Sequence, residues 1–104
     1  HFGNPFLADA AAVLEKNPNV AADLSGLLEG ITDLDRYFAV QAGYVAQLRL
    51  WMEYVCHWEK FLFGTDFPGV NVGNYIEFIR RLVPREHHQA VFFDNANRIY
   101  QLGL

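Results

Sequence analysis

Phe61-Leu62-Phe63-Gly64-Thr65-Asp66-Phe67-Pro68 is an apolar run that stops abruptly at a glycine, a hydroxyl and a carboxylate. A run too short for a helix and ended by Gly and Pro reads as a buried strand opening into a loop. Asp66 then stands at the carboxyl end of a strand, where parallel α/β architectures bind ligands and metals. An Asp in this position also has a plainer use, because Asp before an X-Pro segment commonly bonds its own backbone and shapes the turn. The stretch by itself leaves both uses open.

Upstream of it, Leu34 to Trp58 carries apolar residues at Phe38, Val45, Leu48, Met52 and Val55, with Tyr37, Tyr44 and Trp51 widening the stripe. Spacings of three, four and seven predict a long amphipathic helix, broken near Gly43, whose aromatic stripe packs into a core. Thr32 or Asp33 is placed to cap it. Earlier still, Val20-Ala21-Ala22-Asp23-Leu24 reads as a short strand closed by Ser25-Gly26. Asn17-Pro18-Asn19 separates that strand from a helix over Phe6 to Lys16, which is rich in good helix formers. Downstream, Pro68 to Gly73 is a loop, and Asn74 with Glu77 three residues on predicts a capping-box start for a helix over Tyr75 to Val83. Pro84 begins a short helix to Phe92, and Asp94 is placed as N-cap of a last helix, Asn95 to Leu102, with Gly103 just beyond it.

Strands separated by helices signal βαβ units and a parallel sheet, so the fold class is α/β. Right-handed crossovers make the two strands parallel neighbours whose carboxyl ends, at Ser25 and Asp66, open on the same side. The 104 residues make one domain at most. Two strands neither form a stable sheet nor have both faces shielded. An earlier part of the chain, or a partner, is expected to complete it. The chain begins at His1 rather than at Met, which reads as a processed or truncated piece.

Composition narrows the function. The chain is 52% hydrophobic and 15% aromatic, which excludes a disordered sequence. Its net charge is −4 and its only basic cluster is Arg80-Arg81 with Arg85, so no phosphate-tracking surface is present and nucleic acid is not an expected partner. A single cysteine, Cys56, permits neither an intrachain disulfide nor a cysteine-based zinc cage, and fits a cytoplasmic setting. Charges interrupt every apolar stretch before the roughly 20 residues of a membrane span, so no membrane contact is expected. No phosphate loop, Gly-x-Ser-x-Gly elbow or His-Glu-x-x-His helix occurs. Among the histidines, adjacent His87 and His88 point apart on a helix and read as an exposed polar pair. His57 reads as a surface residue at a helix end. His1 precedes a Gly-Asn-Pro loop and a helix, as a residue does when it closes a βα unit whose strand lies upstream; the alternative is a remnant of an expression tag.

His1-x-Gly-Asn-Pro, Asn19-Val20-x-x-Asp23-Leu24-Ser25-Gly26, Phe63-Gly64-Thr65-Asp66-Phe67-Pro68 and Asp94-Asn95-Ala96-x-Arg98 together resemble the ordered motifs of the metal-dependent TIM-barrel hydrolases of the amidohydrolase superfamily. The likeness runs essentially the whole length of the chain. It is closest to the branch that includes aminocarboxymuconate-semialdehyde decarboxylase and related aromatic-acid decarboxylases and lactone hydrolases. The resemblance implies the C-terminal portion of a (β/α)8 barrel, from the end of the sixth strand, at His1, through the eighth helix, with Val20 to Leu24 and Phe61 to Gly64 as its last two strands. It implies that Asp66 binds a catalytic divalent metal, zinc by preference, and helps orient or deprotonate the bound water. His1 matches a histidine that is an acid/base group beside the metal in the decarboxylase branch and a metal ligand in others. The sequence departs from the pattern in lacking the His-x-His or Glu-x-His pair of a first strand and the histidine of a fifth. The residues present therefore imply a catalytically silent piece of a hydrolase or decarboxylase acting on a small molecule. A rival reading is a non-enzymatic α/β module; either reading predicts self-association through uncovered strand edges.

Overall fold

In the computed structural model, which describes residues 1–104, two short parallel strands pair among helices, the second buried and the first partly exposed. The alanine-rich Leu7–Lys16 forms α1, whose Leu7, Ala11 and Leu14 fall on one face at helical spacing and are buried. β1 (Ala22–Asp23) and β2 (Phe61–Leu62) pair with Ala22 against Phe61 and Asp23 against Leu62. The Leu24 N–H extends the ladder by donating to the Leu62 carbonyl at 2.8 Å.

Both strands are shorter than the sequence predicts, because a strand lasts only as long as it has a neighbour. On the outer side of β1 the sole backbone partner is Phe2, whose N–H donates to the Asp23 carbonyl at 3.0 Å. Beyond β2 the Phe63 N–H turns to a helical carbonyl, that of Val91, at 2.9 Å.

The long helix predicted over 34–58 is two helices, α2 (Leu34–Val40) and α3 (Ala42–Val55), which meet at Gln41 rather than at Gly43. Asp33, not Thr32, caps α2 by accepting the Arg36 N–H at 3.3 Å. The helix ends at Cys56, in the left-handed region at φ +57°, so His57 lies beyond it and pairs with Glu59 at 3.1 Å. The fourth helix, α4 (Val72–Leu82), starts earlier than predicted, capped by Asn71, which accepts the Asn74 N–H at 2.9 Å. The capping box at Asn74 does not form. Its amide instead exchanges hydrogen bonds with the backbone of Thr32, at 3.1 and 3.0 Å, and so ties two loops together.

The C-terminal region also differs from the prediction. A 3-10 turn (Arg85–His87), a π-helical turn (Ala90–Asp94) and α5 (Asn95–Ile99) succeed one another closely. Asp94 has helical backbone angles and caps nothing. The wide turn holds the Val91 carbonyl that receives Phe63, and it ends where Asn95 turns into the core.

Around this frame Leu24, Leu48, Met52, Phe61, Phe78, Ile79 and Val91 are closed off from solvent. Each such side chain contributes about 1.5–3 kcal/mol of hydrophobic stabilisation. Phe2 meets Phe61 edge-on at 5.2 Å, and Tyr37, Phe38 and Tyr75 converge on Phe78 at 5.7 Å each. No helix is long and apolar enough to cross a membrane.

Candidate functional site

The carboxyl end of β1 is held from behind by α4. Tyr75, buried in the core, donates its hydroxyl hydrogen to the Leu24 carbonyl and accepts the Leu27 N–H at 3.2 Å. Burial pushes the Tyr75 phenol far above its ordinary range, so it keeps that hydrogen. The turn after β1 is thereby pinned, and Ser25 and Gly26 are presented at its edge. Gly26 has φ +67°, and a β-carbon there would lie 2.4–2.5 Å from three atoms of the His1 ring. Glycine both permits the backbone angle and makes room for the imidazole.

His1 is the centre of the arrangement. Its Nδ1 lies 2.8 Å from Ser25 Oγ, and Ser25 Oγ is in close contact with Asp23 Oδ1. Asp23 Oδ1 also accepts the Ser25 N–H at 3.0 Å and the His1 amino group at 3.2 Å. Burial raises the Asp23 pKa, but the Ser25 hydroxyl and amide and the His1 ammonium together outweigh it and leave the carboxyl below its ordinary value.

On the other side of the ring, His1 Nε2 faces Asp66 Oδ2 at 3.7 Å. Asp66 reaches that position from the left-handed region, at φ +62°, which Asp tolerates better than most residues. The turn around it is closed by other groups: Phe67 N–H donates to Thr65 Oγ1 at 3.2 Å, and Gly69 N–H to the Asp66 carbonyl at 3.0 Å. The Asp66 carboxylate therefore does not serve as a cap for its own turn. It is 60% exposed, and the facing His1 is 51% exposed.

The remaining histidines are occupied elsewhere. His87 and His88 are not an exposed pair as the sequence predicts: His87 stacks on Trp58 at 4.7 Å, and His88 Nε2 donates to the carbonyls of Val83 and Arg80 at 2.8 and 3.0 Å. A groove of about 510 Å³ between the loop before β1 and the turn before β2 contains Lys60 and Arg98. It lies at the amino ends of the strands, away from His1, and both cations are engaged by backbone carbonyls.

The family model described as amidohydrolase matches residues 1–102. The chain belongs to the amidohydrolase family. No curated protein and no solved structure matches it.

In this chain no three His, Cys, Asp or Glu side chains are grouped so as to hold a metal ion. The pair at His1 and Asp66, an imidazole nitrogen facing a carboxylate oxygen, suits a borderline divalent cation in kind, but two donors fill only half of a tetrahedral shell. The sequence marks His1 and Asp66 by motif. Asp23 and Ser25 also stand in one of the motifs, but the sequence assigns them no role and does not mark Tyr75, because their contacts join residues more than twenty apart or follow from the exact path of a turn.

Proposed function

We propose that these 104 residues form the C-terminal part of a (β/α)8 barrel and contribute one wall of a metal-dependent active site. The observation that carries the reading is the convergence of His1 and Asp66, 3.7 Å apart, at the carboxyl ends of two adjacent parallel strands. The short pairing of β1 and β2, with each outer edge met by a single backbone bond, supports further strands on either side.

In this reading Asp66 holds one position of a divalent metal, zinc by preference, with the other ligands supplied from outside these residues. A bound divalent cation lowers the pKa of water toward 7 and polarises a carbonyl. Asp66 contributes negative charge and an oxygen that accepts a proton. His1, braced by Ser25 and by contact with Gly26, holds and moves a proton at Nε2. The reaction class is hydrolysis of an amide, ester or lactone, or decarboxylation of an unsaturated or aromatic acid as in the branch that the motifs resemble. Alone, the 104 residues are inactive.

Calorimetric titration with zinc tests the incomplete site. The expected result is no tight stoichiometric binding, and a tight one-to-one site within these residues would overturn the reading. In the intact barrel, Asp66→Asn should lower metal content and turnover by at least the roughly 10–100-fold that outer-shell changes cost. Full metal loading and activity in that variant would remove Asp66 from the site.

A further inference from the structure

Asp23, Ser25, His1 and Asp66 lie in one continuous line across the strand ends, and the line has a direction. Ser25 Oγ and Asp23 Oδ1 are in close contact. Two bare oxygens would repel at that range, so the serine hydrogen lies between them. Asp23, a half-exposed carboxyl already accepting the Ser25 N–H at 3.0 Å, is ionised at neutral and alkaline pH and has no hydrogen to give. Ser25 Oγ then offers only lone pairs to His1 Nδ1, 2.8 Å away. A neutral imidazole in that position must carry its proton on Nδ1, which leaves the lone pair on Nε2.

We propose that Ser25 and Asp23 are positioning residues that fix His1 as the Nδ1–H tautomer and present a bare Nε2 to the side occupied by Asp66. Their use in catalysis rests on the reading of His1 and Asp66 given above. The resting ring is then a proton acceptor at Nε2.

The same connectivity argues against Ser25 as a nucleophile. Ser25, His1 and Asp66 stand in sequence as in a Ser-His-Asp triad. In such a triad the serine gives its proton to the imidazole. Here that proton is committed to Asp23, and Ser25 is buried.

The test is long-range proton–nitrogen correlation NMR on the ¹⁵N-labelled 104-residue chain, with the ring kept neutral at alkaline pH. The two ring nitrogens of His1 are expected to be distinct, with the proton-bearing signal at Nδ1 and the bare signal at Nε2. Ser25→Ala removes the acceptor and should move the proton toward Nε2, whereas Ser25→Thr, which keeps the hydroxyl, should restore the original pattern. A proton on Nε2 in the unsubstituted chain, or an unchanged spectrum in Ser25→Ala, would overturn the proposal. If Ser25→Ala does not fold, the unsubstituted chain and Ser25→Thr still decide it. Neither activity nor metal content enters this readout. An Nδ1–H ring in a protein that fails the functional tests would leave the tautomer assignment standing and defeat only the functional reading.

Discussion

Replacing Asn95 by alanine tests how the helical shell holds the second strand. Asn95 is 1% exposed, and its Nδ2 donates to the carbonyls of Trp58 and Phe61 at 2.7 and 2.8 Å. Alanine removes both donors. The Phe61 bond is buried and the Trp58 bond partly so. The Trp58 carbonyl keeps the Phe61 N–H, so the main cost is the Phe61 carbonyl left buried and unpaired, about 1–3 kcal/mol. Against a net stability of about 5–15 kcal/mol that is a large fraction. At about 4–8 °C per kcal/mol for a chain of this size, the melting temperature should fall by roughly 4–24 °C. Urea unfolding followed by circular dichroism gives the free energy directly, with an unchanged m-value showing that the denatured state is the same. Asn95→Asp keeps the shape but turns acceptors toward two carbonyls, so at neutral pH it should be at least as damaging. As the pH falls and that carboxyl gains a proton, one donor returns and part of the gap to the unsubstituted chain should close. An alanine variant within about 0.5 kcal/mol of the unsubstituted chain would refute the reasoning, because that is the range of an inconsequential surface change.

Gly26→Ala should destabilise the chain by at least the roughly 1–2 kcal/mol of a left-handed non-glycine residue and push the His1 ring off Ser25; unchanged urea stability would contradict this. At alkaline pH, burial and the neighbouring Tyr37 push the Tyr44 phenol up to about 12, against about 10 in an unfolded chain. The folded state thus holds a proton that the unfolded state loses, and the resulting stability is present below about pH 10 and lost as the pH rises toward 12. Tyr44→Phe should flatten that limb and remove one late-ionising phenol from an absorbance titration; identical alkaline limbs would count against the assignment. At acid pH the sign reverses for Asp23, whose folded pKa is depressed. Its contribution is present above its unfolded value of about 3.9 and lost as the pH falls through the lower folded one, so Asp23→Asn should flatten the acid limb of a stability profile. Parallel acid limbs for the two chains would refute it.

Features that depend on near neighbours are legible in the sequence. The helix from Leu7 comes from alanines and a helical apolar face, and the parallel adjacency of the two strands comes from the helices between them. Asp66 is legible as the polar end of an apolar run. Its freedom from its own turn is not, because Thr65 and the Asp66 carbonyl take the backbone donors, and the sequence does not say which of several acceptors wins. Asn71 and Asn74 show the same competition. Either can cap α4 by residue type, and the choice falls to Asn71 while Asn74 bonds Thr32, forty-two residues away. Asp94 reads as a cap only while the helix is assumed to begin after it. The wide turn that carries the helix through it accompanies the contacts of Val91 and Asn95 with β2 and the segment leading into it.

These contacts bear on how the site keeps its spacing. Only two residue pairs join β1 to β2, too little pairing to fix the distance between the loops at their carboxyl ends. The end of β1 is tied instead to α4 through Tyr75, and β2 to the C-terminal helices through Asn95 and Val91. The His1–Asp66 separation of 3.7 Å therefore depends on how these helices are seated, and a change in the shell reaches the site without touching a site residue. In the proposed barrel, neighbouring strands would share that restraint. Loosening the shell should then disturb His1 and Asp66 most when the 104 residues stand alone.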